Sequence, residues 1–161
     1  MPTHAEKRTL PHTPEQLFEL VAAIDRYPEF LPWCKSARVT KREGNVLHAD
    51  ITVGFKVFRE KFASRVTLDR PHRIDVKYLT GPFRYLDNHW IFHPEPGGRC
   101  TIEFFIDFEF RSRLLQRLIG ALFNEAVRRM VRAFEVRAGR LYGVPPQVAA
   151  KRGRLRLRPR R

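Results

Sequence analysis

Between residues 33 and 110 apolar and polar side chains alternate, and this period of two predicts β-strands. Residues 33–42 run into Gly44-Asn45, a hairpin signal. In 46–55, Leu47, Ala49, Ile51, Val53 and Phe55 fall on one face. In 58–68 the matching set is Phe58, Phe62, Val66 and Leu68, with Glu60 and Ser64 among them. Asp69-Arg70-Pro71 turns the chain into a strand marked by Ile74, Val76 and Tyr78. Gly81-Pro82 turns it again, and Leu86, Trp90 and Phe92 share a face of the strand that follows. Beyond the tight connection at 94–98, Ile102, Phe104, Ile106, Phe108 and Phe110 alternate with Glu103, Asp107 and Glu109. Phe105 and Ile91 break the alternation, so the outer face is not wholly polar. Connections this short imply an antiparallel meander, because parallel neighbours need crossovers of about a dozen residues or more.

The period changes at both ends of the chain. Residues 3–10 form a first strand, closed by Pro11. Thr13-Pro14-Glu15-Gln16 is a helix start, with threonine at the N-cap and proline in the first helical position. Leu17, Leu20, Val21 and Ile24 then recur at helical spacing. Residues 25–32 read as a second, very short helical turn bracketed by Pro28 and Pro32. After Ser112, an N-cap, the pattern predicts one long helix to about Tyr142, stopped by Gly143 and Pro145-Pro146. Its apolar stripe is read as Leu115, Ile119, Leu122, Ala126, Met130, Ala133 and Leu141, widened by Phe123, Val127 and Phe134. Such a helix is about 45 Å long at a rise of 1.5 Å per residue. The expected fold is α+β: a curved six- to seven-stranded antiparallel sheet wrapped around a long C-terminal helix, with two short helices after the first strand.

Composition adds bounds. At 161 residues the chain has room for one domain and a tail, and a domain near this size buries roughly 68–70% of its unfolded surface. Thirteen phenylalanines suit either an enclosed aromatic cavity or an ordinary filled core. The two cysteines, Cys34 and Cys100, form no pattern, which favours a reducing compartment. No signal peptide and no stretch long enough to span a bilayer is evident. The net charge is +14, and half of it comes from Lys151, Arg152, Arg154, Arg156, Arg158, Arg160 and Arg161. The expected division is therefore a folded domain at 1–145 and a basic, disordered tail at 146–161.

Familiar catalytic signatures are absent: no Gly-rich phosphate loop, no Gly-x-Ser-x-Gly, no His-Glu-x-x-His, no Cys-x-x-Cys. No catalytic residue and no metal site is predicted. His89 and His93 share the face opposite Trp90 and read as solvated side chains. Glu103, Asp107 and Glu109 read as a solvent-facing stripe. Glu60 and Ser64 fall on the inward face, where an unpaired polar group costs about 1–3 kcal/mol. They sit in water at a sheet edge, or they meet each other, a buried water or a ligand's oxygen atoms.

Three motifs carry a family resemblance. They are Tyr27-Pro28-x-Phe30-Leu31-Pro32-Trp33-Cys34, Gly81-Pro82-Phe83-x-x-Leu86-x-x-x-Trp90 and Ala133-Phe134-Glu135-x-Arg137-Ala138-x-x-Leu141-Tyr142-Gly143. Together with the run 104–112 they resemble the coenzyme Q-binding START family, which also contains the bacterial ribosome association toxin. The resemblance spans about residues 3–143 and implies the helix-grip (START-like) fold, with a cavity between sheet and helix. It implies non-catalytic binding of a polyprenyl quinone such as ubiquinone, or a similar lipid, in support of respiratory electron transport. In the toxin branch it implies binding of the large ribosomal subunit and inhibition of translation initiation. Polyketide cyclisation, known on the broader fold, finds no acid–base pair here. No cofactor is required beyond ubiquinone as bound ligand, and no specific DNA partner is expected.

The candidate lining follows from the inward faces: Ile51 and Val53, then Phe62 and Val66, then Val76. Leu86 and Trp90 continue it, then Phe104, Ile106 and Phe108, and finally Leu122, Ala126 and Met130 from the helix. The seven cations at 151–161 are candidates for an anionic surface, either bilayer headgroups or ribosomal RNA. With no transit peptide, the expected location is the bacterial cytoplasm or the inner face of its membrane.

Overall fold

The computed structural model describes residues 3–55, 58–120 and 122–143. Seven strands, β1 (Thr3–Leu10), β2 (Cys34–Glu43), β3 (Val46–Phe55), β4 (Phe58–Asp69), β5 (Arg73–Thr80), β6 (Phe83–Glu95) and β7 (Arg99–Phe110), form one antiparallel sheet. Its order is β1-β7-β6-β5-β4-β3-β2. The meander accounts for six strands. The first strand returns to pair with the last, Thr3 opposite Asp107 through Leu10 opposite Cys100. This is the α+β helix-grip arrangement: a curved seven-stranded sheet gripping its C-terminal helix.

The segment between β1 and β2 holds α1 (Pro14–Ala22) and a 3-10 helix (Ile24–Glu29). A capping box starts α1. The Thr13 Oγ1 accepts from the Gln16 amide at 3.1 Å, and the Gln16 side chain accepts from the Thr13 amide at 3.0 Å. Phe18 of α1 then packs on Phe92 of β6, ring centres 5.5 Å apart, so the helix lies on the face that carries Trp90. Each large side chain buried in this way contributes roughly 1.5–3 kcal/mol.

The C-terminal helix differs from the expected single rod. It is split into α2 (Arg113–Gly120) and α3 (Phe123–Tyr142). Ser112 does cap the first piece, its Oγ accepting from the Leu115 amide at 3.2 Å. Gly120 closes that piece, as the residue with the least helix propensity in the run. The buried stripe of α3 is Phe123, Val127, Val131, Phe134 and Ala138: Phe123, Val127 and Phe134, expected on its flank, form its centre, while Met130 and Ala133 pack at its edge and the expected Leu122 and Ala126 lie one position off it. Leu141 is exposed. One residue is a rotation of about 100°. The rotation exchanges Leu122 and Ala133 for two phenylalanines, which bury far more apolar surface against the sheet. Gly143, at φ 76°, ends the helix with its amide bonded to the Gly139 carbonyl at 2.9 Å.

Candidate functional site

Sheet and helices do not meet everywhere, and an apolar cavity of about 150 Å³ remains between them. On the sheet side its wall is built in rows. Val66, Val76, Asn88 and Ile106 stand directly opposite one another across β4 to β7. Ile74, Trp90 and Phe104 form the neighbouring row, and Ile51, Val53 and Phe62 extend the wall along β3 and β4. Directly paired residues project to the same side of a sheet, so antiparallel register alone lines these groups up. The opposite wall comes from Val21, Ile24, Tyr27 and Leu31, and from Met130 and Phe134 of α3. Ser64, Val66 and Ile74 are deeply buried, whereas Val53, Phe62, Ile106 and Met130, like Ile51, Val76 and Asn88, keep partial exposure.

Ten of the thirteen candidate lining residues are therefore on this wall: Ile51, Val53, Phe62, Val66, Val76, Leu86, Trp90, Phe104, Ile106 and Met130. Three are not. Phe108 is buried in a separate aromatic cluster with Phe83, Phe110 and Phe123, at centroid distances of 5.3, 5.3 and 4.9 Å. Leu122 is exposed at the α2–α3 junction, and Ala126 sits beside the buried stripe without reaching the cavity. Alternation places Phe108 on the correct face but not at the correct depth along the strand. The helix residues follow the 100° rotation described above.

Other wall residues went unpredicted. Tyr27 and Leu31 come from the proline-bracketed segment, and Trp33 and Cys34 from the entry into the strand that follows it. Asn88 lies between Leu86 and Trp90 at inward spacing and was legible as an inward polar residue. Of the two inward polar residues noted on β4, Glu60 is partly exposed opposite Val53, and Ser64 is 2% exposed on the cavity wall.

Among the described residues the wall carries no carboxylate, histidine, lysine or arginine. The Tyr27 hydroxyl donates to the Val21 carbonyl, and burial raises its pKa. The Cys34 thiol leans on the Ser36 carbonyl at 3.6 Å, and burial pushes it up to about 11, far from a nucleophilic thiolate. Asn88 Nδ2 donates to the Phe105 carbonyl at 2.8 Å. The Ser64 Oγ has no partner. What this chamber offers is shape and apolar contact, with few polar groups.

The outer face behaves as a solvated surface. His93 bonds Glu103 at 2.7 Å, and His89 stacks on Phe105 with ring centres 5.1 Å apart. Among the described residues no cluster of three or more metal-ligating side chains occurs, and no described helix is long and apolar enough to cross a membrane. The tail cations Lys151, Arg152, Arg154, Arg156, Arg158, Arg160 and Arg161 lie outside the described residues.

Comparison with known proteins agrees with this geometry. The sequence profile of a family described as "Polyketide cyclase / dehydrase and lipid transport" matches residues 10–135. The chain is 36% identical over 155 residues to the mitochondrial "Coenzyme Q-binding protein COQ10 homolog B" of Xenopus laevis, covering 92% of this chain. It spans only 64% of that relative's length. It is 38% identical over 135 residues to the "Ribosome association toxin RatA" of Rickettsia prowazekii, covering 81% of this chain and 92% of the toxin. Among solved structures, the 18 kDa protein CC1736 of Caulobacter crescentus is 42% identical, with a TM-score of 0.72 over 89% of this chain and all of that one. The Zhui aromatase/cyclase of a Streptomyces strain shares the fold alone, with a TM-score of 0.76 over 86% of this chain and 94% of that one, at 15% identity.

Proposed function

Because this chain belongs to the polyketide cyclase/dehydrase and lipid transport family, we propose that its cavity binds the ring of a polyprenyl quinone such as coenzyme Q, without catalysis, in support of respiratory electron transport. The observation that carries the reading is the chamber itself, almost wholly apolar and partly open to solvent. A volume near 150 Å³ is that of apolar cavities that hold benzene, so the chamber is on the scale of one six-membered ring. A prenyl tail beyond the first unit would then leave past the partly exposed Met130, Val53 and Phe62. Each buried methylene adds about 0.8 kcal/mol, so a ring and one isoprene unit suffice for useful affinity. The relative named for coenzyme Q binding supports the choice of ligand. The proposed setting is the bacterial cytoplasm or the inner face of its membrane, with residues 1–145 as the binding domain and 146–161 as a basic tail.

Trp33 and Trp90 both line the chamber, so binding is readable by fluorescence. Titration with a short-tailed ubiquinone is expected to quench tryptophan emission saturably. Met130→Arg, at a partly exposed position on the wall, abolishes the quenching while circular dichroism stays native. Absence of saturable quenching in the unaltered protein overturns the proposal. Phe104→Arg is the poorer test, because Phe104 is fully buried and the charge would unfold the sheet.

A second reading has its own support. Relatives named ribosome association toxin align over about nine-tenths of their length, and the outer side of α2–α3 is rich in arginine. On this reading the chain binds the large ribosomal subunit and inhibits initiation through charge and shape. Salt-sensitive co-sedimentation of the full chain with purified large subunits tests it, and failure to sediment at low salt removes it.

A further inference from the structure

Ser64 sits on β4 opposite Ala49 and Tyr78, at a point where the β4–β5 register shifts. It is 2% exposed, it lines the chamber, and its Oγ finds no hydrogen-bond partner. A buried hydroxyl left unpaired costs about 1–3 kcal/mol, and alanine would fill this place with no such penalty. Its polar neighbours on the wall are already engaged. Tyr27 donates to Val21, Asn88 gives one Nδ2 hydrogen to the Phe105 carbonyl, and neither side chain lies within bonding distance of the Ser64 Oγ. Ser64 is thus a hydrogen-bond donor with nothing to bond, deep in a hydrocarbon-lined space.

We infer that Ser64 is the polar anchor of the chamber, donating to a carbonyl or hydroxyl oxygen of the bound molecule. The inference rests on the cavity-binding reading above and sharpens it in two ways. The ligand is an apolar ring bearing an oxygen function, rather than a plain hydrocarbon. Its oxygen-bearing end is innermost, because Ser64 is deeply buried while Met130 and Val53 keep partial exposure. Any hydrocarbon tail therefore points outward.

Duroquinone and durene test this, being ring compounds of matched outline with and without carbonyl oxygens. Both are titrated calorimetrically against the full chain and its Ser64→Ala variant. The expected result is that the variant binds duroquinone roughly 5–10-fold more weakly, the value of one net hydrogen bond, and binds durene as before. Equal change for both probes, or no change for either, overturns the anchor while leaving the cavity reading intact. Failure of both probes to bind the unaltered chain overturns the two together.

A separate feature lies outside the cavity. Leu114 and Leu118, one turn apart on α2, are 64% and 56% exposed, and Leu122 at the junction with α3 is 47% exposed. Leu115 and Ile119 on the same helix pack inward, so the exposed leucines form a second apolar flank that no other described residue buries. Arg113 and Arg117 lie one turn apart on the remaining side. With Arg111 they have no acidic partner among the described residues. Leu79 is also exposed, near the Gly81-Pro82 turn whose Pro82 carbonyl accepts from the Arg111 amide at 2.9 Å. Apolar side chains flanked by unpaired arginines match the boundary between acyl chains and anionic headgroups. A nucleic acid would satisfy the arginines and leave the leucines without a partner.

We propose that α2 and its junction with α3 dock on an anionic lipid bilayer, leucines in the acyl boundary and arginines at the phosphates. Co-flotation of the full chain with vesicles of phosphatidylcholine, alone or with a third phosphatidylglycerol, tests the surface. Binding is expected to the anionic vesicles only, and Leu114→Ser with Leu118→Ser weakens it roughly tenfold or more, with the basic tail unchanged. Equal flotation of the double variant and the unaltered chain overturns the proposal, since the tail would then account for all attachment. So does a preference for RNA that is insensitive to the leucines.

Discussion

Phe134 of α3 meets the edge of Trp90 of β6 with ring centres 5.1 Å apart. The same ring is edge-on to Tyr27 at 5.4 Å and to Phe30 at 5.1 Å. One side chain thus joins the sheet, the 3-10 helix segment and the gripping helix, and it forms part of the cavity wall. Arg137, one turn on, lies over the Phe30 ring at 5.1 Å and bonds Glu29, which holds the same joint from outside.

Phe134→Ala should therefore cost about 3–5 kcal/mol, as for a large aromatic removed from a core. Phe134→Leu should cost less than half of that. Urea unfolding followed by fluorescence and circular dichroism together measures both. A loss under 1 kcal/mol for the alanine variant would mean that the helix grips the sheet elsewhere.

Gly81 has φ 145°, and a Cβ placed on it would stand 2.6 Å from the Phe62 Cβ and 2.9 Å from its Cα. Backbone strain alone costs about 1–3 kcal/mol, and the clash adds to it. Because Phe62 lines the cavity, Gly81→Ala is expected to lower ligand affinity as well as stability. Gly97→Ala, at φ 79° with open space around it, should show the strain cost and leave affinity unchanged. Paired melting and binding curves separate the two.

Both cysteines are buried, and burial pushes Cys34 up to about 11 and Cys100 to about 12. At pH 8 the native protein should react with a disulfide reagent on the order of 100-fold more slowly than the unfolded chain, since little thiolate forms. A bound ligand should slow Cys34, on the wall, and leave Cys100 as it was. Mass spectrometry of the labelled peptides reads the difference.

His12 is buried beside Tyr142, ring centres 6.0 Å apart, and burial holds its pKa below the usual imidazole range despite the opposing charge of Glu135. The unfolded histidine titrates near 6.5, so the folded chain binds its proton less readily. The associated stability is fully present above about pH 6.5 and is lost as pH falls through the depressed folded value. His12→Gln should flatten the stability profile between about pH 7 and 5, measured by urea unfolding at each pH. An unchanged slope would place the dependence on other groups.

Local pattern alone was enough for the strands. A closing proline placed β1 at 3–10, and a period-two run placed β3 at 46–55, with the bounds the structure has, because each signal lies within a few residues of the element it specifies. The Thr13 cap of α1 and the Gly143 stop were legible for the same reason. Alternation also separated the inward from the outward face, which is why ten of the proposed lining residues reach the chamber. Tertiary structure alone decided which inward positions face empty space and which face another ring. Phe104 and Phe108 are indistinguishable by period, yet only Phe104 borders the cavity, because Phe108 meets Phe83 and Phe123. The rotation of α3 was likewise settled by packing: several faces of that helix are apolar enough to be buried, and contact with the sheet selects the one carrying Phe123 and Phe134. The unpartnered state of Ser64 has the same origin, since a hydrogen bond left unmade is a property of all the surrounding elements and of none singly.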